Sequence, residues 1–365
     1  MRYVDIISDI ERIANLSGTA HRNTLKRGVN TWLLRYAAAY TWPHYKDRGV
    51  IQTIAPYETG TVTATNASKT ITGDSTVFTT AMVGRKFQVS GDQAWYTVAA
   101  FVSTTEVTLA EAYQGTTASG SSYSIFKDEY RIDADTHQLL DVVQTQNQIK
   151  MGVFDYLRFD DYFSQLGTFG EPEWLTVLGR KDDTYATGTI TASAAATTLT
   201  GSSTVWTGVE GLGKGSRIAG INNTEVYTVK SVDSDTQLSI YEQVTTALSA
   251  STYRIFLNNL RVQVWPVPSA ARNLYYRKQR LPNPLFNDYD EPDMAREFHG
   301  QLVDAGLATA YTLLGHLDRA AALDAHAKEW IQQQIAQVGL AYPMPKLQKS
   351  IMDANYAGLP TVSFY

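Results

Sequence analysis

A stretch of 21 residues occurs twice in this chain, and the second copy starts 128 residues after the first. Residues 59–79 read TGTVTATNASKTITGDSTVFT, and residues 187–207 read TGTITASAAATTLTGSSTVWT. Well over half of the aligned positions are identical, among them Thr59, Gly60, Thr61, Thr70, Gly73, Ser75, Thr76 and Val77. The echo continues downstream. Tyr96-Thr97-Val98 returns as Tyr227-Thr228-Val229, and Tyr123-Ser124-Ile125-Phe126 as Tyr253-Arg254-Ile255-Phe256. Threonine alternating with apolar residues, with Gly, Asn and Asp at turns, is strand composition. The repeat therefore predicts one small all-β module, sandwich-like or barrel-like, present at 59–126 and again at 187–256. Candidates for its interior in the first copy are Ile71, Val77, Phe78, Val83, Phe87, Val89, Tyr96, Val98, Val107, Leu109, Tyr123 and Ile125.

The remainder follows different periods. Ile6, Ile10 and Ile13, flanked by Ile7 and Ala14, predict an amphipathic helix over 3–16. Leu25, Val29, Trp32, Leu33, Tyr36 and Tyr40 predict a second over 20–41, stopped at Trp42-Pro43 because the residue before proline avoids helical geometry. In DADTHQLLDVV (133–143), Asp133 or Asp135 stands where a helix cap would, which predicts a short helix. Leu175–Leu178 and the alternating LRVQVWPV (260–267) predict strands, the latter paired with Leu274-Tyr275-Tyr276-Arg277. The acidic run Asp288, Asp290, Glu291 and Asp293 leads into a helix predicted over 292–314, with Phe298, Leu302, Ala305 and Thr309 inward. A last helix is predicted over 319–338 and stopped by Gly339. Residues 340–365 are too apolar for a typical disordered tail and too broken by proline for a core.

Chemistry is sparse. GVEGLGKGS (208–216) approaches a phosphate-binding loop, but Gly215 stands where a magnesium-binding hydroxyl is needed, and the stretch lies inside a β-module. The six histidines are dispersed and form no HExxH pair, so no metal or cofactor is expected. Neighbouring carboxylates (Asp160/Asp161, Glu171/Glu173, Asp182/Asp183) are no evidence for a pair facing across a cleft, as a glycosidase requires. Absent cysteine removes disulfides and thiolate chemistry. No apolar run spans a membrane, and the acidic start is not a signal peptide, so a soluble protein made in the cytoplasm is expected. Arg272, Arg277, Lys278 and Arg280 interleave with Tyr275 and Tyr276, a pattern that can touch phosphate, stack on a base or form an interface, but that first of all marks an exposed strand end beside the acidic patch at 288–293.

With the two β-modules set aside, a second pattern emerges. Two N-terminal helices end in Trp42-Pro43-His44. Asp128-Glu129-Tyr130 leads into DADTHQLLDVV. The strand ending Trp265-Pro266-Val267-Pro268 precedes the acidic lead into Glu297-Phe298-His299. This frame resembles the head-to-tail adaptor (connector) proteins of tailed bacteriophages. The resemblance implies an α+β fold: a helical-bundle adaptor frame with a small β-hairpin or sheet, interrupted by two homologous small all-β insertions. Its segments would be 1–58 (N-terminal helices), 59–126 (first module), 127–186 (frame), 187–256 (second module), 257–339 (frame strands and C-terminal helix pair) and 340–365 (an extended docking tail).

The resemblance also implies structural rather than enzymatic work, in the neck of a virion. Such adaptors form a homo-oligomeric ring, commonly twelvefold, beneath the portal protein and above tail tube or nozzle components, and double-stranded DNA passes through without sequence-specific binding. Tyr342, Leu347, Ile351, Tyr356, Phe364 and Tyr365 would dock the tail on the portal or a neighbour. The compact adaptors lack the β-modules, which here would project as a collar. The net charge of −5 suits a channel component that must not grip DNA. A rival reading is a tail or receptor-binding protein whose modules bind host glycan, with Trp95 and Trp206 as candidate platforms, although Trp206 aligns with Phe78 and is expected in the core instead; another is a hydrolase of cell wall or polysaccharide.

Overall fold

The computed structural model describes residues 1–144, 149–163, 167–220 and 225–341. Helices α1 (Tyr3–Ala14) and α2 (Thr19–Ala39) open the chain, and strand β1 (Lys46–Gln52) follows. The first repeat contributes β2 (Thr61–Ala64), β3 (Thr70–Asp74), β4 (Lys86–Val89), β5 (Tyr96–Ser103), β6 (Glu106–Leu109), β7 (Ala118–Ser121) and β8 (Tyr123–Phe126). Between the repeats lie β9 (Glu129–Arg131), β10 (Thr136–Gln144), β11 (Ile149–Lys150), β12 (Gly152–Phe154), helix α3 (Tyr156–Tyr162), β13 (Phe169–Gly170) and β14 (Trp174–Tyr185). The second repeat contributes β15 (Thr189–Ala192), β16 (Thr198–Ser202), β17 (Arg217–Gly220), β18 (Val226–Ser234), β19 (Gln237–Ile240), β20 (Leu248–Ser251) and β21 (Tyr253–Trp265). After β22 (Val267–Pro268) and β23 (Asn273–Arg280), helices α4 (His299–Leu313) and α5 (Leu317–Ala341) end the described chain.

Two compact units result, one of Met1–Trp42 with the chain from Asp288 onward, the other of Pro43–Asn287. In the β unit the two repeats share one strand order. The first runs β7-β2-β3-β6-β5-β4-β8, and the second runs β20-β15-β16-β19-β18-β17-β21. The repeated residues carry this shared geometry. Gly60 and Gly188 both adopt positive φ (78° and 85°), and a Cβ on either would lie 2.3 Å from the carbonyl oxygen of Asp74 or Ser202. Only glycine meets both demands without strain. Tyr123 Oη donates to the Thr59 carbonyl at 2.7 Å, and Tyr253 Oη to the Thr187 carbonyl at 2.6 Å. Phe78 and its counterpart Trp206 are both buried, each in the core of its own repeat. Val77 and Val83 depart from the expected interior and are exposed: they lie beside turns rather than in strands, where the alternation rule does not apply.

The second repeat does not stop at 256. β21 runs through that position and pairs with β14 from Tyr185↔Ile255 to Trp174↔Trp265, so the strand expected at 260–267 continues the repeat's last strand. Its other flank pairs with β9. Beside this pair, β1-β23-β10-β11 forms a four-stranded sheet, and Ile51, Val142, Leu175, Val262, Val264 and Tyr276 are buried in one core.

The expected helical-bundle frame is not what forms. Among the described residues strands hold 38% and helices 27%, and the helices number five. The segment 133–143 shows why. It is the strand β10, not a capped helix, and its pairing with β23 slips between Thr136 and Gln138 and again between Leu139 and Asp141. Two such irregularities break the alternation that marks a strand, leaving Leu-Leu and Val-Val doublets that fit a helix equally well.

The helical unit holds α1, α2, α4 and α5. Ile6, Ile7, Ile10 and Ala14 of α1 are buried, whereas Ile13 is exposed, on the outer side of the helix. The first turn of a helix has free N–H donors. In α1, two of them reach the carbonyls of the acidic segment: Tyr3 N–H donates to Asp290 at 2.8 Å and Val4 N–H to Asp288 at 3.0 Å. Helix α4 begins at His299, later than 292, because Pro292 and a 3₁₀ turn at Arg296–Phe298 precede it. Gly315, at φ 79°, ends α4 as expected of a C′ glycine, while α5 runs through Gly339 to Ala341.

Candidate functional site

The basic residues of β23 and the turn before it lie in a network of ion pairs. Strand alternation sends Lys278 inward, and Arg277, its neighbour, outward. Lys278 is only 3% exposed. Its Nζ donates to Asp133 Oδ2 at 2.7 Å and to Asp135 Oδ1. Burial pushes the ammonium toward its neutral form, but the charges of Asp135 and Asp133 outweigh this and raise its pKa. Asp135 is itself buried, and burial raises its carboxyl above the ordinary range despite the ammonium. Arg277 grips Asp141 through both Nε (2.6 Å) and Nη2. Burial alone would raise the Asp141 carboxyl, yet the hydrogen bonds and charge of Arg277, helped by Lys150 at 3.6 Å, hold it below the usual range. Arg272 makes a fork to Glu171 at 3.1 and 3.0 Å. The Arg280 guanidinium lies 5.5 Å from the centroid of the Tyr45 ring.

This placement corrects the nucleic-acid expectation for Lys278, which has no surface to offer a phosphate. Arg277 remains accessible but shares its charge with a buried carboxylate. Residues 340–365 were the other expected site. Tyr342, Leu347, Ile351, Tyr356, Phe364 and Tyr365 lie outside the described residues.

The glycine-rich stretch at 208–216 is a turn entering β17, with Gly211 and Gly215 at positive φ. Its importance lies in a residue that sequence reading passed over. Glu210 accepts from Lys127 Nζ and, at 3.0 Å, from the Arg131 N–H. The Asn259 amide, fully buried, donates to Gly211 at 2.8 Å and Ile132 at 2.7 Å. The loop thus ties the second repeat to β9, immediately after the first. No sequence signal marks Glu210, since its partners are some 80 residues away. Trp206 is fully buried, as its alignment with Phe78 leads one to expect, and its Nε1 donates to Tyr253 Oη at 3.0 Å. Trp95 is 39% exposed, with the Lys86 ammonium 4.1 Å from the ring centroid.

The helical unit carries a groove of about 620 Å³, walled by α2 and α5 and floored by α4. Small side chains shape it: Gly28 on α2, Ala305 and Ala308 on α4, Ala321 on α5. At Gly28 the helices approach so closely that a Cβ would sit 2.5 Å from Thr309 Oγ1. Buried Trp32 lines the groove, stacked on Tyr36 at 5.6 Å, and Trp330 of α5 lies 6.1 Å away across the unit. Leu313 and Leu317 line it with 44% and 65% of their surface exposed. Arg35 faces Asp324 from α2 to α5 at 3.8 Å.

Among the described residues no group of three or more His, Cys, Asp or Glu is placed to hold a metal ion, and no helix is long and apolar enough to cross a membrane. No protein-family model matches the chain, and no curated protein matches it. Among solved structures, translation elongation factor SelB from Methanococcus maripaludis in its apo form is similar over 60% of this chain and 63% of that one, at 11% identity and a TM-score of 0.15. The chain therefore spans less than two thirds of that protein, and a likeness this slight carries no argument about fold or function.

Proposed function

We propose that this chain is a non-enzymatic adaptor of a tailed-phage neck, assembling as a ring beneath the portal, with the β-modules as a collar. The observation that supports the reading best is the composition of the helical unit. Two N-terminal helices and two C-terminal helices, separated by more than 250 residues, form one unit from which the apolar C-terminal segment continues. Such a unit lets one set of helices and one tail act together at a docking face, while the intervening β unit is free to vary. The frame carrying the β-modules is a sheet structure, so the resemblance extends to the order of segments and not to a helical bundle throughout. The acidic net charge accords with a lumen that lets DNA pass, because phosphate contacts add up to tight, salt-dependent binding.

The test is mass photometry of the full chain alone and mixed with its cognate portal ring. Assembly in multiples of the 40.4 kDa protomer, or stoichiometric capture by the portal, is expected. A chain that stays monomeric in both conditions is not an adaptor.

A further inference from the structure

The geometry points to an occupant for the groove of the helical unit: residues 350–365 of the same chain, folded back along α5. The groove is built for large apolar side chains. Gly28, Ala305, Ala308, Ala320 and Ala321 leave it room, Trp32 lines its α2 wall, and Leu313 and Leu317 stand exposed around it. The segment beyond α5 has the matching chemistry. From 350 to 365 it carries Ile351, Met352, Tyr356, Leu359, Val362 and Phe364, and its single charged side chain is Asp353. Arg35 lines the groove to meet that charge. Its pairing with Asp324 is long, at 3.8 Å, and Lys328 holds the same carboxylate at 2.6 Å.

Reach decides between this occupant and a more distant one. The α5 wall runs from Leu317 to Ala327, and the described chain ends at Ala341. At 1.5 Å per helical residue, Ala341 lies about 21 Å from the near end of the wall and about 36 Å from the far end. An extended chain covers about 3.3 Å per residue, so about seven residues bring it back to Ala327. Residues from about 349 onward are then left to lie along the wall, and this is where the apolar, nearly uncharged stretch begins. Attachment to the wall itself gives the segment an effective concentration in the millimolar range, well above that of any free partner at ordinary protein concentration. A segment held in its own groove is not free to dock on a portal, so this inference replaces the tail's part in the adaptor reading; ring assembly is tested apart from it, and either can fail alone.

The chain has no cysteine, so two introduced thiols report the contact without interference. Thr312→Cys stands at the exposed edge of the groove, and Ser363→Cys lies in the segment without removing an apolar side chain. The full-length double variant is oxidised under dilute conditions, and the products are separated without reductant and mapped by mass spectrometry. A disulfide within one chain is expected. Ala321→Trp, at an exposed position in the wall, should fill the groove and lower the yield about tenfold, equivalent to ~1.4 kcal/mol of lost docking. Thr31→Trp, from the facing wall, should do the same, and either variant should keep the wild-type helical circular-dichroism signal, with a midpoint lowered by no more than the lost docking accounts for. Cross-links between chains only, no cross-link, or a within-chain yield that neither tryptophan reduces would each overturn the inference.

Discussion

Replacing Lys278 with methionine should unmask a buried charge. The side chain is 3% exposed and bridges Asp133 and Asp135, whose side chains are 46% and 6% exposed. The exposed Asp133 regains water when the ammonium leaves, so its contribution is small. Asp135 cannot, and removing one partner of a buried pair costs about 3–5 kcal/mol. The loss has a pH signature. Burial already raises the Asp135 carboxyl, and Lys278 opposes that rise. Without the lysine the folded-state pKa climbs further. A carboxyl whose folded pKa exceeds its unfolded value favours folding below the unfolded pKa, and that contribution disappears as pH rises through the folded pKa. The gap between wild type and Lys278→Met should therefore be small near pH 4 and widen toward about pH 8. Adding Asp135→Asn to the variant removes the stranded charge and should recover most of the loss. Urea unfolding followed by tryptophan fluorescence at both pH values measures it. A gap that does not change with pH, or a double variant no better than the single, would refute the buried-charge argument.

Three further expectations concern other parts of the structure. Gly60→Ala places a Cβ 2.3 Å from the Asp74 carbonyl at φ 78° and should cost at least ~2 kcal/mol, with Gly188→Ala costing as much in the second repeat; a neutral effect in thermal melts would contradict the shared turn. Asp141→Asn should cost about 2 kcal/mol at neutral pH, and because this carboxyl's pKa is lowered in the fold, the difference from wild type should vanish as pH falls through that pKa. Phe298→Ala should cost only about 1–2 kcal/mol, since the ring is half-buried and meets Trp330 edge-on at 5.1 Å; a loss of 3 kcal/mol or more in denaturant titration would mean the ring is fully enclosed.

The repeat was legible because its constraints are local. A positive-φ glycine and a tyrosine closing on a nearby carbonyl each leave a residue identity that recurs in the second copy, and the aromatic core position recurs in type, as Phe78 and Trp206. The terminal helices were legible for a similar reason: five of the six stripe residues of α2 (Leu25, Val29, Trp32, Leu33 and Tyr36) are buried. What could not be read depends on partners distant in sequence. β10 is a strand because β23 lies alongside it, and its bulges hide the alternation. Lys278 looked like a surface cation among arginines until strand pairing brought Asp133 and Asp135 onto it from 145 and 143 residues away. Glu210 and the helical groove are likewise products of tertiary approach, with no local pattern to announce them.

The central claim is that this chain works as a ring-forming adaptor, and electron-microscopy class averages of the full-length protein with its cognate portal test it most directly. The account predicts a closed ring seated on one face of the portal, one β unit projecting from each protomer. Averages showing bare portal rings beside dispersed single protomers would contradict it.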